Sequence, residues 1–214
     1  MNMSNEHFIS SKRTFRYYTS GDLEKAHTII YALHGYGQLS RYFIEKFKCL
    51  DENYFIVAPE GMHRFYLEGS AGRVGASWMT KEDRDHDIED NIYWLDELDR
   101  VFTAKKPQLK KVILGFSQGG ATAARWFYNR SIHAHHLIVW ASVFPPDLPK
   151  ETVIQYQSER SNFFILGKQD QYYTEDKQRD LVAFYRSMGF DTAQYEGAHA
   201  IHSETLEAIL RRLT

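Results

Sequence analysis

A chain of 214 residues with 43% hydrophobic and 15% aromatic content can bury one sizeable core and reads as a single domain over 1–214. Its net charge of −2 and scattered Lys and Arg exclude the basic stripe that a nucleic-acid or anionic-membrane binder needs, and no apolar run nears the ~18 residues that span a bilayer. One cysteine, Cys49, excludes an internal disulfide, and with a start (MNMSNEHFISSKR) lacking the apolar stretch of a secretory signal it makes the cytoplasm the expected compartment.

In chain order, residues 8–18 alternate loosely up to the turn Ser20-Gly21-Asp22, and 27–33 form an apolar run; together they predict two strands, expected as antiparallel neighbours. Ser40 to Leu50 places Phe43, Ile44, Phe47 and Leu50 at helical spacing with Ser40 as the expected cap, and Cys49 near the end is expected to be buried. Residues 54–58 predict a strand stopped by Pro59. The glycine-rich stretch 60–79 shows neither period, and an irregular segment of that length inside a compact domain points to function. Asp83 to Lys105 predicts the longest helix, with Ile88, Ile92, Leu95, Leu98 and Phe102 on one stripe. Its Asp83, Asp85 and Asp87 suit the helix dipole better than a metal, because positions two apart diverge on a helix.

The most informative stretch is Lys110 to Arg130, KKVILGFSQGGATAARWFYNR. β-formers lead into Gly115-Phe116-Ser117-Gln118-Gly119, then small and helix-forming residues follow, so the order is strand, sharp turn, helix. The flanking glycines let the backbone close up and leave Ser117 exposed at the apex in a strained conformation, the arrangement of a nucleophile elbow. The pattern G-x-S-x-G alone is weak, since common residues produce it by chance in about 7% of chains this long. Its context carries the weight. Strands over 136–144, 162–166 and 192–196, with helices over 174–188 and 203–213 (Ser203 as cap), continue a strand–helix alternation. That alternation predicts an α/β fold: a mostly parallel sheet of about seven strands flanked by helices. Only some seventeen residues separate the strands at 144 and 162, too few for a large cap domain.

In such a sheet, reactive groups gather beyond the carboxyl ends of the strands. A neutral serine needs a base, and the base an acid to fix its tautomer. His199, in Glu196-Gly197-Ala198-His199, and Asp170, in Gly167-Lys168-Gln169-Asp170, fit those roles in the order Ser, Asp, His that α/β-hydrolases use. His202 competes for the base, and Glu175 and Asp176 for the acid, although a helix start explains the last two. The oxyanion of acyl transfer needs N–H donors. Glycines around Tyr36 in His34-Gly35-Tyr36-Gly37 suit its amide to that task, with the amide of Gln118 as the second; the His34 side chain reads as structural.

The set LHGYG, GFSQGG, a G-x-x-D after the penultimate strand and GAHAI before the last helix resembles the phospholipase/carboxylesterase family of α/β-hydrolases, which includes acyl-protein thioesterases. The resemblance runs from about Ile29 to Leu213, with GFSQGG its most specific element. It implies Ser117 as nucleophile, Asp170 as acid, His199 as base and the amides of Tyr36 and Gln118 as oxyanion hole. It also implies cleavage of carboxylic esters or thioesters with no metal and no cofactor. The chain departs from the family where Gly75-Ala76-Ser77-Trp78-Met79-Thr80 closes a longer segment holding Phe65 and Tyr66. Substrate-pocket walls are expected from Phe65, Tyr66, Trp78 and Met79, with packing under the loop as the other reading of Trp78, and from Phe144 and Tyr172. Arg73 is expected either to meet an anionic substrate group or to be a solvated loop residue. The expected partner is a small-molecule ester, with a homodimer left open; thioesterase or lysophospholipase activity and a catalytically silent binding protein are the alternatives.

Overall fold

The computed structural model describes residues 5–129, 131–157 and 161–213. The expected end of the elbow helix at Arg130 and the first residues of the chain start lie outside these. Among the described residues, nine strands and six helices follow in chain order: β1 (Tyr17–Ser20), β2 (Thr28–Leu33), α1 (Ser40–Phe43) running into a 3-10 turn (Ile44–Phe47), β3 (Tyr54–Pro59), β4 (His63–Tyr66), β5 (Val74–Ser77) and α2 (Arg84–Lys105). Then come β6 (Lys110–Phe116), α3 (Gln118–Tyr128), β7 (His136–Trp140), α4 (Lys150–Gln157), β8 (Phe163–Gly167), α5 (Glu175–Ser187), β9 (Asp191–Tyr195) and α6 (Ser203–Leu213).

Seven strands form one sheet in the order β1-β3-β2-β6-β7-β8-β9. Every neighbouring pair is parallel except β1 with β3. β2 and β3 are buried along their whole length, as are β7 and β8 apart from His136, which explains their continuous apolar runs. The expected antiparallel pairing of the first two strands is wrong. β2 is flanked by β3 and β6, and β1 pairs instead with β3, Tyr17 opposite Pro59. The strand expected over 8–18 begins only at Tyr17. The residues before it are held by side chains, Phe15 stacking on Trp94 at 4.7 Å and Arg16 bonding Glu60 at 2.6 Å.

The stretch 60–79 is not irregular. It folds as a two-stranded antiparallel hairpin, β4 with β5, His63 opposite Ser77 and Tyr66 opposite Val74. Four-residue strands with a glycine in one of them are too short to show a period of two. Ser40 does not cap α1; its hydroxyl donates to the Pro59 carbonyl at 2.6 Å, fixing the loop after β2 to the end of β3. Cys49 is exposed, because the short helix ends before reaching it. At the start of α6 the bond that Ser203 was expected to make is made by His202, whose Nδ1 accepts from the Thr205 N–H at 3.4 Å. The helix α4 falls within the short connection between β7 and β8.

A buried polar cluster joins α2 to the middle of the sheet. Asp99 accepts from Tyr31 of β2 at 2.7 Å and from the Lys111 ammonium of β6 at 2.7 Å, and Lys111 also donates to Thr103 at 2.6 Å. With all three partners supplied, the charges are satisfied rather than stranded.

Candidate active site

The order of strands reverses between β2 and β6, and loops leaving the carboxyl ends of these two neighbours border the crevice where open α/β sheets bind ligands. Ser117 sits there, between β6 and α3, with φ 53° and ψ −123°. A side chain at positive φ is strained by about 1–3 kcal/mol and persists only where its surroundings enforce it. They do so here. The Ser117 N–H donates to the Trp140 carbonyl at 2.8 Å, and a Cβ on Gly115 would meet the Gly119 carbonyl oxygen at 2.4 Å, while one on Gly119 would meet the His34 carbonyl oxygen at 2.4 Å. Strand, helix and the loop after β2 converge at distances that only glycine allows.

His199 and Asp170 come together as expected. His199 Nδ1 lies 2.6 Å from Asp170 Oδ2, in a pair whose side chains are 10% and 0% exposed. Asp170 Oδ1 accepts the Tyr172 N–H at 3.0 Å. The two loops that carry the pair are stitched together, Lys168 N–H to the Tyr195 carbonyl and Gln169 N–H to the Gly197 carbonyl, both at 2.9 Å. The His199 ring packs 4.7 Å from Phe116, the residue before Ser117, and edge-on to Tyr172 at 4.6 Å. Among the described residues the Ser117 hydroxyl makes no hydrogen bond, and such contacts commonly tighten only once substrate is bound. Tyr173, whose hydroxyl donates to the Ala141 carbonyl at 3.2 Å, has its pKa pushed up to about 12 by burial and then by the Asp170 charge.

The competitors have other employment. His202 stacks on Tyr195 at 5.0 Å and 11° and bonds Thr205. Glu175 and Asp176 lie in the first turn of α5, whose cap is the Thr174 side chain. Among the described residues no group of three or more His, Cys, Asp and Glu is arranged to hold a metal.

The loop after β2 abuts the serine: a Cβ on Gly35 would lie 3.1 Å from Ser117 Cβ. Its other amides are occupied, Gly35 N–H by the Gln38 side chain at 3.0 Å and Gly37 N–H by the Ala76 carbonyl at 2.9 Å. Among the described residues nothing occupies the N–H of Tyr36 or of Gln118. His34 is fully buried, its Nδ1 donating to the Gly35 carbonyl at 2.7 Å and its Nε2 accepting from Gly61 N–H at 2.9 Å. Burial lowers its pKa to about 4, against the smaller upward pull of the Gly35 bond, so the ring is neutral near pH 7 and purely structural.

The expected pocket walls divide. Phe65 packs against Tyr36 with ring centroids 5.1 Å apart, and Tyr66, Tyr172 and Arg73 are exposed. Trp78 takes the other of its two expected places, packed under the loop. It is fully buried, stacked at 6.3 Å on Trp94, with its indole N–H donating to the His34 carbonyl at 2.8 Å. Phe144 is misplaced: it lies in an aromatic cluster with Tyr128, Phe184, Tyr185 and Phe190, because β7 ends at Trp140 and the chain has turned away. Met79 is half-buried, its sulfur 3.7 Å from Arg125. Sequence reasoning missed two clamps. The Gln118 side chain donates to the Ser77 hydroxyl and the Met79 carbonyl, both at 2.9 Å, and accepts from the Trp78 N–H at 3.1 Å, tying the elbow to β5. Gln38 shapes the loop after β2; a polar residue directly after Gly35-Tyr36-Gly37 was its only signal.

A family model described as serine hydrolase (FSH1) matches residues 25–207. Comparison by sequence with curated proteins finds no significant match. Among solved structures, the chain is similar to a carboxylesterase from Mesorhizobium loti (16% identity, TM-score 0.70, covering 93% of this chain and 94% of that one). It is similar also to esterase PE8 (19%, 0.68, 94% and 100%) and to Zea mays acyl-protein thioesterase 2 (16%, 0.68, 92% and 97%). At these identities the likeness establishes the α/β-hydrolase fold.

Proposed function

Because the chain belongs to the FSH1 serine hydrolase family, we propose that it cleaves carboxylic esters of small to medium acyl chains through an acyl-enzyme on Ser117. The observation that carries this reading is the buried His199–Asp170 pair set against the residue that precedes a strained serine. With Nδ1–H committed to Asp170, the Nε2 of His199 is the basic nitrogen, free to take the Ser117 proton as the hydroxyl oxygen attacks the ester carbonyl. Charge that builds on the carbonyl oxygen is met by the N–H groups of Tyr36 and Gln118, the latter at the positive end of α3. Collapse of the tetrahedral intermediate expels the alcohol, which receives the proton from His199. Water, deprotonated by the same nitrogen, then releases the acid and restores Ser117. No helix among the described residues is long and apolar enough to cross a membrane.

Hydrolysis of p-nitrophenyl esters from C2 to C16 by wild type and Ser117→Ala tests the reading. Turnover highest for the shorter chains and lost by at least about 10³-fold in the variant is expected. Equal turnover by the two proteins contradicts it.

A further inference from the structure

Beside the loop after β2 lies a groove of about 620 Å³, within the range of small-molecule sites, walled on one side by α1 and its 3-10 turn and on the other by the β4–β5 hairpin. Its charge is one-sided. Arg41, Lys46 and Arg73 line it and no Asp or Glu does, in a chain whose net charge is −2. None of the three forms an ion pair among the described residues; the neighbouring acid Glu45 is taken by Lys48. Arg41 stacks its guanidinium 4.6 Å over the Tyr42 ring, which occupies its face and leaves its N–H edge for an acceptor. Tyr42, Leu67 and Val74 line the same groove and are 61%, 37% and 37% exposed, so the cations share it with accessible apolar surface.

The groove is built onto the catalytic loop rather than hung nearby. Gly37 and Gln38 form part of its wall. Ala76 of β5 bonds both of them, accepting from Gly37 N–H at 2.9 Å and donating to the Gln38 carbonyl at 3.1 Å. A Cβ on Gly75 would meet the Gly37 carbonyl oxygen at 2.5 Å. Since Gly35 touches Ser117 and two residues span at most about 7 Å, the wall begins within about 10 Å of the nucleophile.

Resting on the esterase reading above, we propose that this groove is the subsite for an anionic group of the substrate, a carboxylate or phosphate joined by a short apolar linker to the ester that Ser117 attacks. Cations beside exposed apolar side chains fit that chemistry: the linker lies on Leu67 and Val74, and the charge-assisted bonds are made by Arg41, Lys46 and Arg73. An exposed cationic grip acts on bound substrate and transition state alike, so it enters KM rather than kcat, and salt weakens it.

The test compares kcat/KM for p-nitrophenyl hydrogen adipate with that for its neutral methyl ester, in wild type and in the Arg41→Gln, Lys46→Gln, Arg73→Gln triple variant. A ratio of about ten or more in wild type, falling toward one in the variant and in high salt, is expected, with the change in KM. A 6-phosphonohexanoate ester run beside them separates the two sources, a preference in either arm supporting the subsite and naming its anion. A wild-type ratio near one in both arms, or a ratio unchanged in the triple variant, overturns it. Calorimetric titration of adipate into Ser117→Ala, with and without the triple substitution, reads the groove without turnover. Binding lost with the three cations supports the subsite even if no ester is hydrolysed, whereas binding equal in the two proteins, or absent from both, overturns it even if neutral esters are.

Discussion

At the scale of single residues, the site depends on giving each polar group one task. His199 Nδ1 is committed to Asp170, whereas His202, three residues later, is spent on Tyr195 and the start of α6. His199→Ala is therefore expected to lower turnover of p-nitrophenyl acetate by about 10³-fold or more, and His202→Ala to cost about 1 kcal/mol of stability with activity kept within a few-fold. Steady-state kinetics with urea melts on both variants check this, and the reverse ranking would move the base to His202. The sequence already carried this pair, because a serine hydrolase needs residues of these types on the loops beyond the last strands and the chain offers few in that position. It did not carry the fate of Trp78. A large aromatic beside a glycine-rich segment packs equally well under a loop or into a pocket, and the choice is made by the His34 carbonyl and by Trp94, both distant in sequence. Phe144 was misread for a related reason: the strand signal over 136–144 outlasts the strand, which stops at Trp140.

At the scale of elements, most strands and helices after β2 were legible because each carries its own period or buried run, the exceptions being β4, β5 and α4. What joins them was not. The hairpin of β4 and β5 lacks a period, yet it is bound to the elbow by Gln118 and to the loop after β2 by Ala76. His34 makes the comparable joint between β2 and Gly61 after β3. Its ring accepts that bond only when neutral, and burial lowers its pKa from 6.5 to about 4. The unfolded chain thus binds a proton at this residue between pH 6.5 and 4 that the folded chain refuses, so the joint's contribution is complete above pH 6.5 and is lost as pH falls through that window. The loss reaches about 3 kcal/mol at the low end. His34→Gln, which keeps an acceptor for Gly61 without the titration, is expected to flatten the fall in unfolding free energy between pH 7 and pH 4 by about that amount; a slope matching wild type would contradict the assignment.

At the scale of the molecule, strand order was the feature least accessible to the sequence. Neighbours in the chain usually pair, which led to β1 beside β2. The crossover that instead puts β3 between them creates the reversal at β2 and β6, where the loop bearing Gly35 and the turn bearing Ser117 meet. The same sheet holds β8 and β9 side by side, which brings Asp170 and His199 together across 29 residues. The catalytic reading accordingly rests on Ser117 being the one hydroxyl that this arrangement makes nucleophilic. Intact-mass and peptide-mapping analysis after exposure to a fluorophosphonate tests that most directly. The account predicts a single adduct on Ser117, absent from Ser117→Ala and strongly slowed in His199→Ala. An unmodified wild-type protein, or an adduct on any other residue, would contradict it.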